Sequence, residues 1–333
     1  MNYLGLDIGG ANIKIAHSKG RAFTLPFALW KSPKKLHKLL KKAARQMPKY
    51  DLVGICMTGE SCDCYSTKQE GVNRILDEVL KIFPEEELQI WQVDQGFQTI
   101  ESARIDYLKT ASSNWHALAS YCGLIYSDDR SLLIDIGSTT TDIIPILKGK
   151  PASRGKTDFE RLQSDELVYI GVGRTPLPML DGQGICREVF ATTLDLHLVL
   201  EHIEEDPDNF NTADGQPATK REAKSRIAHT LGGDLSTISD KKIAATAQRF
   251  YQLQAEGILQ GIEKVLARHK AGFTRTILSG SGEFLIRELA RHSEFNQRLP
   301  QTDFVSLSQL LDQELSSAAC AWAITQLLVH FKH

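Results

Sequence analysis

Three short stretches of this 333-residue chain combine glycine with small polar residues, two of them behind an aspartate. The first runs from Asp7 through Gly9, Gly10 and Asn12 to Lys14. The second runs from Asp135 through Gly137, Ser138, Thr139 and Thr140 to Asp142. The third is Ser279-Gly280-Ser281-Gly282. A phosphate group needs backbone N–H donors at close range. Glycine permits that approach, and serine or threonine adds hydroxyl donors. A carboxylate at a strand end suits hydrated Mg²⁺, which keeps several waters and takes one or two protein carboxylates plus phosphate oxygens. Asp7, Asp135 and Asp142 are therefore the expected metal-side carboxylates. Lys14 is the expected cation for the anion, and the glycine, asparagine, serine and threonine residues are the phosphate contacts. Residues 279–282 would form a third turn, against which a nucleotide or similar ligand could lie flat.

One Asp-x-Gly-Gly turn is an ordinary hairpin signal. Two matched copies followed by a Ser-Gly-Ser-Gly turn are far more specific. LDIGGANIKI aligns with IDIGSTTTDI when Asp7 is set on Asp135, which reads as an internal duplication opening each half of the chain. Other phosphate and hydrolase signatures are missing. The sequence has no G-x-x-x-x-G-K-[ST] loop, no H-E-x-x-H and no G-x-S-x-G, and GVGRTP at 171–176 lacks the third glycine of a dinucleotide fingerprint.

The elements that must position these turns follow from periodicity. YLGLDI and IKIAHSKG read as strands joined by the first glycine turn, and SLLIDIG with TDIIPILKG repeats the pair. LVGICM and LQIWQVD read as further strands, and residues 31–49, 70–82 and 99–122 as helices. The stretch 31–49 carries eight Lys or Arg and no acid, which predicts an amphipathic helix with a solvated basic face. Residues 205–222 are rich in turn formers and read as a loop or insertion. Residues 222–269 read as helical with a break at Gly232-Gly233, and 307–331 as helical and packing back on the core. Alternating strands and helices predict a layered α/β architecture. The expected domains are 1–128 and 129–311, with a C-terminal helix 312–333 returning to the first.

The bulk numbers are those of a soluble globular protein, 42% hydrophobic and 24% charged, with a net charge of −2. They give no field for nucleic acid or a membrane surface. No apolar run approaches the roughly 20 residues of a spanning helix. Six dispersed cysteines in so long a chain predict reduced thiols and a cytoplasmic setting.

The order and spacing of the three glycine motifs resemble the actin, Hsp70 and sugar-kinase superfamily. That resemblance implies two duplicated actin-like, ribonuclease H-like domains around a central cleft, with ILSGSGE similar to its adenosine motif. MTGESCDCYSTKQEGV, SNWHALAS, RGKTDFERLQSDELVYIGVGRTPLP and TADGQPATKREAK are similar, more closely, to a hydantoinase and oxoprolinase-like branch linked to tetrahydromethanopterin-dependent one-carbon metabolism. Its archaeal members are methanofuran-biosynthesis synthases. They join an aminomethylfuran-methyl diphosphate to the phenol of γ-glutamyltyramine as an ether, releasing pyrophosphate.

The resemblance thus implies a Mg²⁺-dependent transferase acting on small diphosphate and phenolic substrates, γ-glutamyltyramine or a tyrosine-like phenol. ATP is open as a second ligand. An ATP-dependent kinase or amidohydrolase and a non-catalytic nucleotide-binding regulator remain alternatives, and a homo-oligomer is compatible with either reading.

A phenol has a pKa of about 10, so a base at the attack site would help. Glu60, after Thr58-Gly59, is the candidate, against the alternative of a surface turn glutamate. Arg174 in GVGRTPLP offers a planar fork for a carboxylate or phosphate, or pairs with a nearby aspartate. Asp158 is a candidate substrate contact or a polar residue at the domain interface. Trp115 reads as core and His116 as a satisfied structural histidine. Cys62 and Cys64 read as packing or cleft-lining residues, not a zinc site, because a lone C-x-C lacks the second ligand pair.

Overall fold

Tyr3–Ile8 (β1) is buried at every position, as a strand sandwiched between helices must be, and its run of apolar side chains reflects that. In a computed structural model describing residues 1–127 and 130–331, β1 is the centre of the first of two sheets. It pairs antiparallel with Asn12–His17 (β2), and Arg21–Pro26 (β3) extends that edge. On its other side it pairs parallel with Leu52–Met57 (β4), followed by Leu88–Gln92 (β5) and the short Gly96–Gln98 (β6). The order is β3-β2-β1-β4-β5-β6.

The second sheet repeats this plan. Arg130–Ile136 (β7) pairs antiparallel with Thr141–Leu147 (β8), whose far edge carries Lys150–Pro151 (β9) and Leu167–Val168 (β10). Arg275–Ser279 (β11) and Asp303–Ser306 (β12) add in parallel on the other side. The order β10-β8-β7-β11-β12 matches the first sheet strand for strand through its centre. The fold is therefore two duplicated actin-like, ribonuclease H-like lobes. The expected boundary between 128 and 129 falls on Asp128 and Asp129, outside the described residues.

Each lobe has its own apolar core, the second dominated by the long helix Asp240–Arg268. The last helix, Ala319–Phe331, lies against β1, β2, β4 and the helix Asn114–Ile125. Glycines make room for it. A Cβ on Gly5 would stand 2.1 Å from the Ala321 carbonyl oxygen, and one on Gly54 would stand 2.4 Å from the Ile324 side chain. Among the described residues no helix is long and apolar enough to cross a membrane.

Three helix expectations are corrected, and the first is the C-terminal stretch, which breaks into Leu307–Leu310, Gln313–Ser317 and Ala319–Phe331. Residues 31–49 do not form one helix: 3-10 turns at Leu29–Lys31 and Pro33–Lys35 precede the helix Leu36–Ala44, because the residue before Pro33 is disfavoured from helical backbone. Residues 99–122 break into Ile100–Ile105, Tyr107–Thr110 and Asn114–Ile125. Ser112 adopts φ 49° in the second break. Asn114 follows as the first residue of the third helix.

Candidate functional site

The two glycine hairpins have one geometry. Gly9 N–H donates to the Asn12 carbonyl at 3.1 Å, and Gly137 N–H to the Thr140 carbonyl at 2.8 Å. Each aspartate then faces the residue seven positions later across its strand pair: Asp7 opposite Lys14, and Asp135 opposite Asp142. The third turn closes on the second hairpin. Gly280 has φ +87°, and a Cβ there would lie 2.3 Å from the Ile136 carbonyl oxygen and 2.5 Å from Asp135 Oδ1, so only glycine fits.

All three turns open onto one cleft of about 1340 Å³ between the lobes. Asp7, Gly9, Gly10, Asn12, Lys14, Asp135, Gly137, Ser138, Thr139, Thr140, Asp142, Asp158, Arg174, Ser279, Gly280 and Ser281 line it. Of the candidate residues, Gly282 and Glu60 are not in that lining. A Cβ on Gly282 would meet the Ile136 side chain at 2.4 Å, so this glycine serves packing behind the wall. No residue of the 205–219 loop lines the cleft, and Asp214 in that loop is held 3.0 Å from the buried Arg226.

Charge is distributed unequally between the hairpins. Lys14 Nζ lies 3.5 Å from Asp7 Oδ2. Burial lifts the Asp7 carboxyl above its usual range while Lys14 opposes that rise. Burial also lifts Asp135, to about 7, with the like charge of Asp142 adding to it and Lys14 and Ser279 opposing. Asp142 is raised by burial against the pull of Arg161, its ion-pair partner. Arg161 is itself buried, stacked 4.1 Å from the Trp115 ring centroid, and donates to the Glu166 carbonyl at 3.1 Å.

This donor set fits a hydrated divalent cation. Asp7 is only 3% exposed, and its Oδ1 is buried with no hydrogen-bond partner among the described residues. A buried carboxylate oxygen without a donor is costly unless a cation faces it. The three expected metal-side carboxylates do not gather into one ligand group: among the described residues no set of three or more His, Cys, Asp or Glu side chains could hold a metal ion, and Asp142 is taken by Arg161.

A second constellation stands beside the first. Glu60 is fully buried in the 3-10 turn after β4, so it is not a surface turn glutamate. Its Oε1 lies 2.8 Å from Ser61 Oγ, 3.0 Å from Ser112 Oγ and 3.9 Å from Lys68 Nζ, while Oε2 has no partner among the described residues. Ser112 Oγ is also 2.5 Å from Asp158 Oδ2, which Lys68 reaches at 3.1 Å. Asp158 thus bridges the two lobes and faces the cleft.

Sequence reading missed Lys68, Ser112 and Arg161, together with the cleft aromatics Trp30 and Tyr169. The run Ser112-Ser113-Asn114 was a helix-start signal that could have exposed the break at Ser112.

The remaining candidates are placed as follows. Three backbone bonds zip residues 172–174 onto the second hairpin: Val172 N–H to the Gly137 carbonyl, and Gly173 and Arg174 N–H to that of Ser138. Arg174 makes no ion pair among the described residues, and its guanidinium lies 6.0 Å from the Trp30 ring centroid, at the cleft. Trp115 is buried, with one edge at the cleft. His116 is occupied structurally: the Trp91 indole N–H donates to its Nδ1 at 3.2 Å, and its Nε2 faces Asp94 at 3.3 Å. Cys62 lines the cleft, and Cys64 is exposed.

The family model described as hydantoinase/oxoprolinase matches residues 51–310. Over 338 aligned residues, the chain is 32% identical to the (4-{4-[2-(gamma-L-glutamylamino)ethyl]phenoxymethyl}furan-2-yl)methanamine synthase of Methanocaldococcus jannaschii, covering 98% of this chain and 97% of that one. The protein of the same name from Methanococcus vannielii is 36% identical over 213 residues, 60% of this chain and 91% of that one. Among solved structures, nucleotide-free acetone carboxylase superposes with a TM-score of 0.53 at 10% identity, over 97% of this chain and 70% of that one. That likeness concerns the fold alone.

Proposed function

This chain belongs to the hydantoinase/oxoprolinase family and to the family of the Methanocaldococcus jannaschii methanamine synthase, and from that premise we propose that it builds an aryl ether of methanofuran biosynthesis. The substrates are an aminomethylfuran-methyl diphosphate and a phenol, γ-glutamyltyramine or a tyrosine-like compound. Pyrophosphate is released. The observation carrying this reading is that both hairpins, with Asp7, Lys14 and Asp135, open onto a single cleft that also holds Trp30 and Tyr169.

A diphosphate leaving group suits that cleft. Asp7 and Asp135 would hold Mg²⁺, which supplies charge neutralisation at the phosphate oxygens. Lys14 and the polar turns 9–12 and 137–140 then bind the diphosphate and stabilise the negative charge that grows as the C–O bond breaks. The electron-rich furan ring eases departure from the adjacent carbon, so the protein need not provide a nucleophile of its own. It must exclude water and aim the phenol. Tyr169 and Trp30 offer flat apolar faces for the two rings, and Arg174 beside Trp30 offers a fork for a substrate carboxylate. The cytoplasm, where both substrates would form, is the proposed compartment.

The test is a mass-resolved assay of the purified protein with Mg²⁺, the furan diphosphate and each phenol, with ATP offered in a parallel tube. Ether and pyrophosphate without ATP are expected. No ether, but ADP formed on adding a substrate, would replace this reading with an ATP-using enzyme.

A further inference from the structure

Ser112 stands within hydrogen-bond distance of two carboxylates at once, Glu60 Oε1 at 3.0 Å and Asp158 Oδ2 at 2.5 Å. A serine hydroxyl carries one proton and can donate to one of them. If both carboxylates were ionised, the other contact would set a lone pair against a negative oxygen in a site where the hydroxyl is buried. That arrangement is unfavourable, and a proton on one carboxyl removes it.

Asp158 Oδ2 already receives Lys68 at 3.1 Å, and the Asp158 side chain is 29% exposed to the cleft. Glu60 has the opposite surroundings. It is completely buried, Lys68 is no nearer than 3.9 Å, and Oε2 has no hydrogen-bond partner among the described residues. Burial lifts the Glu60 carboxyl above its usual range, with Lys68, Ser61 and Ser112 opposing. The proton therefore belongs on Glu60 Oε1. It donates to Ser112 Oγ, and Ser112 donates on to Asp158.

We infer that Glu60, Ser112 and Asp158 form one proton-sharing chain across the two lobes, in which Asp158 is the catalytic base for the phenol and Glu60 is a neutral positioning residue. This rests on the ether-forming reading above. Ser112 and Lys68 hold Asp158 Oδ2, and among the described residues Oδ1 faces only Arg161, at 3.9 Å, so Oδ1 is the oxygen open to take a proton. A carboxylate is too weak to ionise a phenol of pKa about 10 outright. The phenol proton becomes acidic as its oxygen begins to bond to the furfuryl carbon, so transfer accompanies bond formation. The O–C bond forms as the O–H bond breaks, its proton passing to Asp158. The C–O bond to diphosphate also breaks, and its electron pair leaves with pyrophosphate. Asp158 returns its proton to solvent after release.

The duplication provides a built-in control. Asp7 pairs with Cys56 in the first sheet and Asp135 with Ser279 in the second, so Glu60 and Glu283 occupy matching places four residues on. Glu283 accepts from the Ser308 backbone N–H at 3.1 Å, from the Ser308 hydroxyl at 2.9 Å, from Ser306 and from Arg287 at 3.4 Å, and among the described residues no second carboxylate shares the two serines. The shared serine is thus peculiar to Glu60.

The test compares Asp158→Asn, Ser112→Ala and Glu60→Gln in the full chain, with thermal melting to confirm folding. Infrared spectra of the substrate-free protein at neutral pH, taken as the wild-type minus Glu60→Gln difference so that the Asp135 carboxyl cancels, should show a protonated-carboxyl band that shifts in Ser112→Ala. Ether formation should fall about 10²–10⁴-fold in Asp158→Asn, the range of a lost general base. That deficit should shrink with ring-fluorinated, more acidic phenols, which a purely structural role would not produce. Glu60→Gln, whose amide can still donate to Ser112, should cost about tenfold, the scale of one perturbed hydrogen bond. Absence of the band, or a loss in Glu60→Gln equal to that in Asp158→Asn, would overturn the assignment. A wild-type protein that forms no ether would remove the proposed function and the base role together, and the band would still report separately on the shared proton.

Discussion

The two hairpins share strand order, turn hydrogen bond and leading aspartate, yet they differ at the residue facing that aspartate. Lys14 opposes Asp7, whereas Asp142 opposes Asp135. The first hairpin is neutralised within itself. The second concentrates two carboxylates and borrows Arg161, from the helix Asp158–Gln163, to hold one of them. Asp135 is left with a carboxyl pushed up to about 7, chiefly by burial and then by Asp142. The duplicated backbone therefore repeats one glycine-turn geometry, and the cross-strand partner decides whether the copy carries a fixed cation of its own.

That contrast can be broken at four points, in descending order of effect. Asp7→Asn should lower turnover by about 10³-fold or more while the melting temperature moves little, since loss of the partly exposed Lys14 pair is offset by relief of a buried charge whose Oδ1 has no donor among the described residues. Steady-state kinetics with a melting curve would check this, and retained activity would remove Asp7 from the metal site.

Arg161→Met leaves Asp142 buried without its partner and should cost about 3 kcal/mol in urea unfolding. A change below about 1 kcal/mol would mean that water enters and takes over the role of Arg161. Lys14→Met should reduce turnover about 10²-fold, and raising Mg²⁺ should recover part of the loss if lysine and metal neutralise the same charge.

The smallest effect is on stability against pH. Asp135 holds its proton in the folded state up to about 7 but loses it near the ordinary carboxylate range when unfolded. The folded state thus binds more protons between about pH 4 and 7, so stability falls as pH rises through that window and levels off above it. Asp135→Asn should flatten that slope in chelator-treated protein and raise the melting temperature at pH 8. A slope unchanged by the substitution would place the titration on another group.

Strand periodicity, glycine turns and the repeated Asp-Gly pattern are properties of a few consecutive residues. They made both hairpins, the third turn, the duplicated α/β fold and the glycine-turn part of the cleft wall legible in the amino-acid order. Glu60 was singled out on its turn, but its depth was not, because a Thr-Gly-Glu turn looks alike in water and in a core. Ser112 was hidden inside residues 99–122, read as continuous helix.

Where the sequence ran out, the missing information was long-range. Ser112 meets Glu60 from 52 positions away and Asp158 from 46, and Arg161 reaches Asp142 from 19. No local pattern encodes such meetings, because they depend on how two lobes pack and where a helix breaks. By itself the sequence determined the local backbone at the site, since glycine and strand propensities act within a few residues. Only the tertiary structure decided which charges face one another, since side-chain pairing follows from the closing of distant segments around a shared cleft.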